Sequence, residues 1–169
     1  MDPEAEAKRL QRLHDMGILD SPENRLFRGF AEQALVLLPG TSFAAVSLID
    51  ADRQWFKTII GLDEKETPRS VSFCTHTIET PGMMVVEDAT QDSRFAANPL
   101  VVSAPSIRFY AGIRLTGGVG ALCVLGQQPR RATTSEISKL SKLAQYVDIQ
   151  LLAHGALFNL PDASSRAVS

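Results

Sequence analysis

The stretch FAAVSLIDADRQWFKTIIGL, Phe43 to Leu62, holds two apolar runs on either side of a short charged link. Phe43 to Ile49 is apolar with one serine, and Gln54 to Leu62 brings in Trp55, Phe56, Ile59 and Ile60. Residues of this kind pack well on a pleated surface, and the polar DADR link (Asp50 to Arg53) suits a reversal of the chain, so the stretch predicts an antiparallel hairpin. A second pair of runs, IRFYAGIRL (Ile107 to Leu115) and VGALCVLG (Val119 to Gly126), flanks TGG and predicts another hairpin. Between the two, Pro81-Gly82 marks a turn, and MMVVED (Met83 to Asp88) predicts a short strand ending in carboxylates.

The remaining segments carry helical signals. Ala7, Leu10 and Leu13 recur at helical spacing within Ala5 to Met16. Ser21-Pro22 offers an N-cap with proline at the first helical position; Phe27, Phe30, Ala34 and Leu38 then share a face before Pro39-Gly40. In DSRFAANPLV (Asp92 to Val101) the aspartate predicts a cap, followed by one helical turn and an Asn98-Pro99 stop. Thr133 and Glu136 form a capping box, and Ile137, Leu140, Ala144, Val147 and Leu151 follow in heptad spacing up to Gly155. That seam fits either a helix lying on its own sheet or a dimerisation helix. The chain thus divides into an N-terminal helix (1–17), a domain (18–154) whose last helix covers about 134–154, and a tail (155–169) with an apolar knot at Leu157, Phe158 and Leu160. The order of elements predicts an α+β domain, an antiparallel sheet with helices on one side.

Bulk properties agree with a single domain. The chain has 169 residues, 44% of them hydrophobic, which is enough for one full core and too few for two. Its 17 basic and 19 acidic residues are interspersed, which argues against a nucleic-acid partner. No apolar run reaches the ~20 residues of a membrane span, and MDPEAEAKR at the start is not a signal peptide, so a cytoplasmic protein without membrane contact is expected. Cys74 and Cys123 are too few for a disulfide scaffold and fit a reducing compartment, although a regulated disulfide between them is compatible with the sequence.

Several segments together resemble a GAF domain: ILDSPENRLF (Ile18 to Phe27), VSLIDADRQWFKTIIGL (Val46 to Leu62), SFCTHTI (Ser72 to Ile78), VVEDATQDSRFAANPLV (Val85 to Val101), IRFYAG (Ile107 to Gly112) and GALCVLG (Gly120 to Gly126). The similarity is to the bacterial sensory type found ahead of histidine kinases and diguanylate cyclases, and it covers roughly Lys8 to His154. The resemblance implies a central antiparallel sheet, with the N- and C-terminal helices on one face and short helices and loops over a ligand pocket on the other. It also implies that the terminal helices dimerise and transmit signals. Nothing after His154 is long enough for an output domain, so, unless the sequence is one domain of a longer protein, a stand-alone dimeric module is expected, reporting to a separate protein such as a histidine kinase or diguanylate cyclase.

The densest chemical cluster is SVSFCTHTIET, Ser70 to Thr80, where Cys74 and His76 lie two residues apart. A structural zinc site wants about four nitrogen or sulfur ligands, and of the chain's two cysteines and three histidines, His14 and His154 lie near opposite ends, so metal binding is disfavoured. A nucleophile–base pair is possible on a strand, where positions two apart share a face; on a helix they point about 200° apart. Bilin-binding relatives usually place His directly after Cys, whereas Thr75 intervenes here. Haem through His76 has no supporting motif, and the Asn-Lys and Asp-Glu signature of cyclic-nucleotide binders is absent. The free methionine sulfoxide reductases of this fold use pocket cysteines, for which only Cys74 and Cys123 are available. Asp88, Asp92, Arg94 and Arg108 suit either an anionic ligand or Asp–Arg pairs pinning the DSRF loop to the RFYAG strand. Trp55, Phe56, Phe73, Phe95, Phe109 and Tyr110 suit a cavity wall or a filled core.

The resulting expectation is a non-enzymatic sensor whose small-molecule pocket is bordered by Phe73, Cys74, His76, Asp88, Phe95, Arg108, Tyr110 and Cys123, with no catalytic or metal-binding residues. Two alternatives stay open. One is a ligand-free dimerisation or interaction module, which predicts a solid core beside Cys74. The other is a thiol redox sensor or sulfoxide-reductase-like enzyme, which predicts that Cys74 and Cys123 lie close together.

Overall fold

A computed structural model describes residues 1–161. The Phe43–Leu62 hairpin forms as expected, with β1 (Phe43–Ile49) paired to β2 (Arg53–Ile60). Three more strands, β4 (Met83–Val86), β5 (Phe109–Arg114) and β6 (Gly120–Gly126), fall within the predicted runs, and a short β3 (Glu66–Pro68) adds an edge. All six pair antiparallel in the order β3-β2-β1-β6-β5-β4. The first and last strands of the two hairpins, β1 and β6, therefore meet at the centre of the sheet, and burial of both faces explains why every residue of β1 is buried.

Among the described residues, five α-helices accompany the sheet: α1 (Pro3–Asp15), α2 (Arg25–Leu37), α3 (Phe73–Glu79), α4 (Pro99–Val102) and α5 (Thr134–Phe158). The period-2 alternation of the strands sorts the core into two layers. Ala44, Val46, Leu48, Phe109, Ala111, Ile113, Leu122 and Val124 face α2, α5 and Leu13 of α1. Phe43, Ala45, Tyr110, Ala121 and Cys123 face the other way, under α3 and the segments around Phe95 and Val101. This is the predicted α+β arrangement, with long terminal helices on one face and short helices and loops on the other.

Several local boundaries differ from expectation. The cap of α2 is Asn24, whose side chain accepts from the Leu26 and Phe27 amides, and not Ser21. Ser21 and Pro22 instead receive the buried Lys57 ammonium through a hydroxyl and a carbonyl oxygen. Asn98-Pro99 starts α4 rather than ending a helix, because proline suits the first helical position and the Asn98 side chain accepts from the Leu100 amide. The α5 capping box forms, but Gly155 does not close this helix; it is buried within it beside Met16, and the helix continues to Phe158.

Leu140, Ala144, Val147 and Leu151 of the heptad seam are buried in the protein's own core. The seam is therefore consumed within the domain, and a different face of α5 carries the exposed Tyr146, Ile149 and Leu152. Leu157, Phe158 and Leu160 of the apolar knot are also largely exposed, while residues 162–169 of the expected tail lie outside the described residues.

Candidate ligand-binding site

Between the sheet and its short-helix side lies a cavity of about 130 Å³. Its floor is the pocket-facing row of the central strands: Phe43 and Ala45 of β1, Phe56 and Ile59 of β2, Tyr110 of β5, Cys123 and Leu125 of β6. Phe73 and Cys74 of α3 form one wall, and Leu100, Pro105 and Ile107 close another. The lining is largely apolar. Gln54 is one of its few polar groups, and it is already engaged, accepting from Ser72 Oγ (2.8 Å) and donating to Thr67 Oγ1 (3.1 Å).

SVSFCTHTIET becomes helix because Ser72 caps it, its hydroxyl accepting from the Thr75 amide at 3.1 Å. Helical geometry then separates Cys74 from His76. Cys74 turns into the core at 2% exposure, whereas His76 lies partly exposed with its ring edge-on to Phe95 at 4.9 Å. The nucleophile–base pairing of these two side chains is thereby excluded. Phe73 stacks on Phe95 (4.1 Å between ring centres, 7° between planes) and, less closely, on Tyr110. These rings anchor α3 to the sheet.

Cys74 belongs instead to a buried polar cluster drawn from four elements. Its sulfur lies 3.1 Å from the Tyr110 hydroxyl, which is itself 2.7 Å from Thr77 Oγ1. Tyr110 can reach them because its ring crosses Gly112, where an added Cβ would lie 2.1 Å from the phenol oxygen. The Cys123 thiol, on β6 opposite Gly112, and the Ser47 hydroxyl of β1 stand beside the same sulfur. Ser47 Oγ is the one buried side-chain nitrogen or oxygen among the described residues that makes no well-formed hydrogen bond, so it acts on the Cys74 sulfur by proximity and not through a bond of good geometry. Burial raises the Cys74 pKa, but the polar groups of Cys123, Ser47 and Tyr110 outweigh it and hold the thiol below its ordinary value. The Cys123 pKa moves well upward, first because its proton serves Cys74 and then through burial. Burial also drives the Tyr110 phenol up, with the neighbouring sulfurs adding to the shift.

Of the eight expected pocket residues, Phe73, Cys74, Tyr110 and Cys123 line the cavity. His76, Asp88, Phe95 and Arg108 are not part of its lining, each for a local reason. His76 is turned away by the helix. Asp88 caps the 3-10 turn at Ala89–Gln91, accepting from the amide and hydroxyl of Thr90. Phe95 is spent behind Phe73, and the Arg108 guanidinium donates to the Val101 and Ile107 carbonyls. The anticipated Asp–Arg pinning also takes another form. Arg94 grips Asp92 within its own loop, while a backbone bond, Ala89 N–H to Arg108 C=O, joins the preceding turn to the strand.

Phe43, Ala45 and Ser47 were absent from the expected site, although they alternate with the helix-facing Ala44, Val46 and Leu48 and so could be assigned to one face from β1 alone. Thr77 and Gln54 carry no comparable signal. Among the described residues, no group of three or more His, Cys, Asp or Glu side chains could hold a metal ion, and no helix is long and apolar enough to cross a membrane.

No protein-family model matches the chain. Over 132 residues it is 39% identical to a cyclic di-GMP phosphodiesterase of Pseudomonas aeruginosa; the match takes in 76% of this chain but about a fifth (22%) of that protein. Among solved structures, the GAF domain of a phosphoenolpyruvate-protein phosphotransferase from Coxiella burnetii superposes with a TM-score of 0.66 at 13% identity, covering 91% of this chain and 98% of that one. A free methionine-R-sulfoxide reductase from Neisseria meningitidis, solved with its substrate, gives 0.60 at 18% identity, covering 93% and 95%. With the strand order, the two-layered core and these superpositions in agreement, the chain has the fold of a GAF domain.

Proposed function

We propose that this chain is a sensory module that binds a small, mainly apolar molecule between its sheet and α3, and that it serves a protein system turning over cyclic di-GMP. The observation that carries the binding role is the cavity beside Cys74, where a ligand-free interaction module calls for solid packing. The stretch shared with the phosphodiesterase supports the signalling context. At about 130 Å³ the cavity is close to the ~150 Å³ apolar void known to admit benzene and below the ~300–1,000 Å³ usual for larger ligands. The ligand is therefore benzene-sized, with at most one or two hydrogen-bonding groups. A bilin or haem is too large for a cavity of this volume.

At about 1 kcal/mol per heavy atom, a ligand of about seven atoms binds near 10 μM. Methyl-resolved NMR titration of the protein with a panel of such compounds at millimolar concentration tests this. Saturable shifts at Ala45 and Ile59, lost in Ala45→Leu, are expected; a panel that moves neither residue refutes it. The proposal includes a cytoplasmic setting and a homodimer formed through the terminal helices, with the exposed Tyr146, Ile149 and Leu152 of α5 as the contact face in place of the buried heptad seam.

A further inference from the structure

A purely binding role leaves the two thiols unexplained. Cys74 and Cys123 come from a helix and a strand far apart in sequence, yet both are 2% exposed, both line the cavity and their side chains are neighbours. A small molecule inside the cavity therefore meets both cysteines, while bulk solvent scarcely reaches either. The groups around Cys74 are arranged as donors. Thr77 can donate to Tyr110, which frees the phenol proton for the Cys74 sulfur, and Ser47 holds a buried hydroxyl, without a well-formed hydrogen bond, beside that same sulfur.

We propose that Cys74 and Cys123 form a peroxide-reactive pair, in which a small alkyl hydroperoxide entering the cavity oxidises Cys74 and Cys123 then closes a disulfide between α3 and β6. In the first step the Cys74 thiolate attacks the terminal peroxide oxygen. The O–O bond breaks, the alkoxide leaves as the alcohol after taking a proton, and Cys74 becomes a sulfenic acid. In the second step the Cys123 sulfur attacks the Cys74 sulfur, the S–O bond breaks, and water departs with the Cys123 proton. Two thiols and one hydroperoxide thus give one disulfide, one alcohol and one water. The two electrons that reduce the peroxide come from the thiols.

Several features assign the order of events. The downward shift of the Cys74 pKa and the upward shift at Cys123 make Cys74 the attacking thiolate and leave Cys123 protonated until the second step. Tyr110 and Ser47 act as positioning residues, because they work on the peroxide through the Cys74 sulfur beside which they stand. The apolar walls favour an alkyl group on the peroxide, and the volume limits its size. The product disulfide would tie the wall of the cavity to its floor.

The test treats the reduced full chain with tert-butyl hydroperoxide and measures its mass after denaturation without reductant, followed by peptide mapping. The expected product is a monomeric chain two hydrogens lighter, with Cys74 linked to Cys123. Cys123→Ser should accumulate a dimedone-trappable sulfenic acid at Cys74, and Cys74→Ser should remain unmodified. Ser47→Ala should slow oxidation about threefold to tenfold at pH 7 and move the midpoint of its pH profile upward, a change that loosened packing alone does not produce. Two thiols still titratable in denatured wild type, at a peroxide dose that oxidises a free cysteine peptide, overturn the proposal. So does sulfenic acid at Cys123 alone, or a disulfide found only between chains. This inference shares the cavity of the proposed ligand but not its fate: failed titrations leave the thiol chemistry measurable, and inert thiols leave ligand binding intact.

Discussion

Glu6→Gln tests how firmly the N-terminal helix is tied to the segment that leads into the cavity wall. The Glu6 carboxylate takes the Arg9 guanidinium bidentately, at 2.8 and 2.7 Å, and also receives Arg69, which lies in the turn just before α3. Arg9 is 3% exposed and donates onward to the Ile49 and Gly118 carbonyls. The Arg9 hydrogen bond, reinforced by Arg69 against the opposing effect of burial, draws the Glu6 pKa from an ordinary 4.5 down to about 2. A shift of that size is worth at most about 3.4 kcal/mol at neutral pH. The carboxylate keeps 21% of its side-chain surface in water, and screening there halves the figure to about 1.7 kcal/mol.

Glutamine keeps one acceptor but removes the charge facing the buried Arg9, so a loss of about 2 kcal/mol is expected at pH 7. The sign of the pH dependence follows from a folded pKa below the unfolded one. The stabilisation is complete above about pH 5 and disappears as pH falls toward 2, with about three-fifths of it gone by pH 3. Urea unfolding of wild type and variant at pH 7, 5, 4 and 3 reads this directly. A variant within about 0.5 kcal/mol of wild type at pH 7 would refute the reasoning, as would a gap that stays constant down to pH 3.

Four other outcomes follow from the packing. Gly112→Ala forces a methyl into the Tyr110 phenol and should cost about 1–3 kcal/mol in urea unfolding, with part of the loss recovered when Tyr110→Phe is added; additive losses would mean that the two groups do not meet. Leu140→Ala should cost about 2–5 kcal/mol and Ile149→Ala less than about 0.5, a contrast that thermal melts will read and that equal losses would contradict. Thr133→Ala removes the capping box of α5 and should lower stability by about 1 kcal/mol, so an unchanged urea midpoint would discount that cap. For the proposed α5 dimer, Tyr146→Glu with Leu152→Glu should shift sedimentation toward monomer while far-UV circular dichroism stays that of the folded chain; a wild type that sediments as a monomer would refute the dimer, and a persistent dimer in the variant would move the contact elsewhere.

Local patterns in the sequence were sufficient for the two hairpins, but not for the β3 edge strand or for the pairing of β1 with β6 that joins the hairpins. Both hairpins and the α5 capping box depend on neighbours within a few residues, and propensity, turn chemistry and tertiary packing agree there. Where two local signals competed, packing decided. Ser21 and Asn24 are both good caps, and α2 starts at Asn24 because the Ser21 hydroxyl and Pro22 carbonyl are held by Lys57 from the neighbouring strand. The heptad of α5 is similarly ambiguous in one dimension. Its spacing states that one face is apolar, and only the position of α2 and the sheet says what covers it.

The site was half legible, for a reason that Cys74 illustrates. Its neighbour in sequence, His76, looks like its chemical partner, yet the Ser72 cap commits the segment to helix and sends the two side chains apart. Its actual neighbours are set by register: Cys123 lies opposite Gly112, Tyr110 folds over that glycine because no Cβ is present, and Ser47 comes in from β1 next to β6. Each of these placements depends on the pairing of strands that are distant in the chain, and a one-residue slip would turn Cys123 or Tyr110 to the opposite face. The glycine at position 112 is thus as much a part of the thiol environment as either cysteine. It contributes no group to the chemistry, but a methyl there would push the phenol off the sulfur it holds.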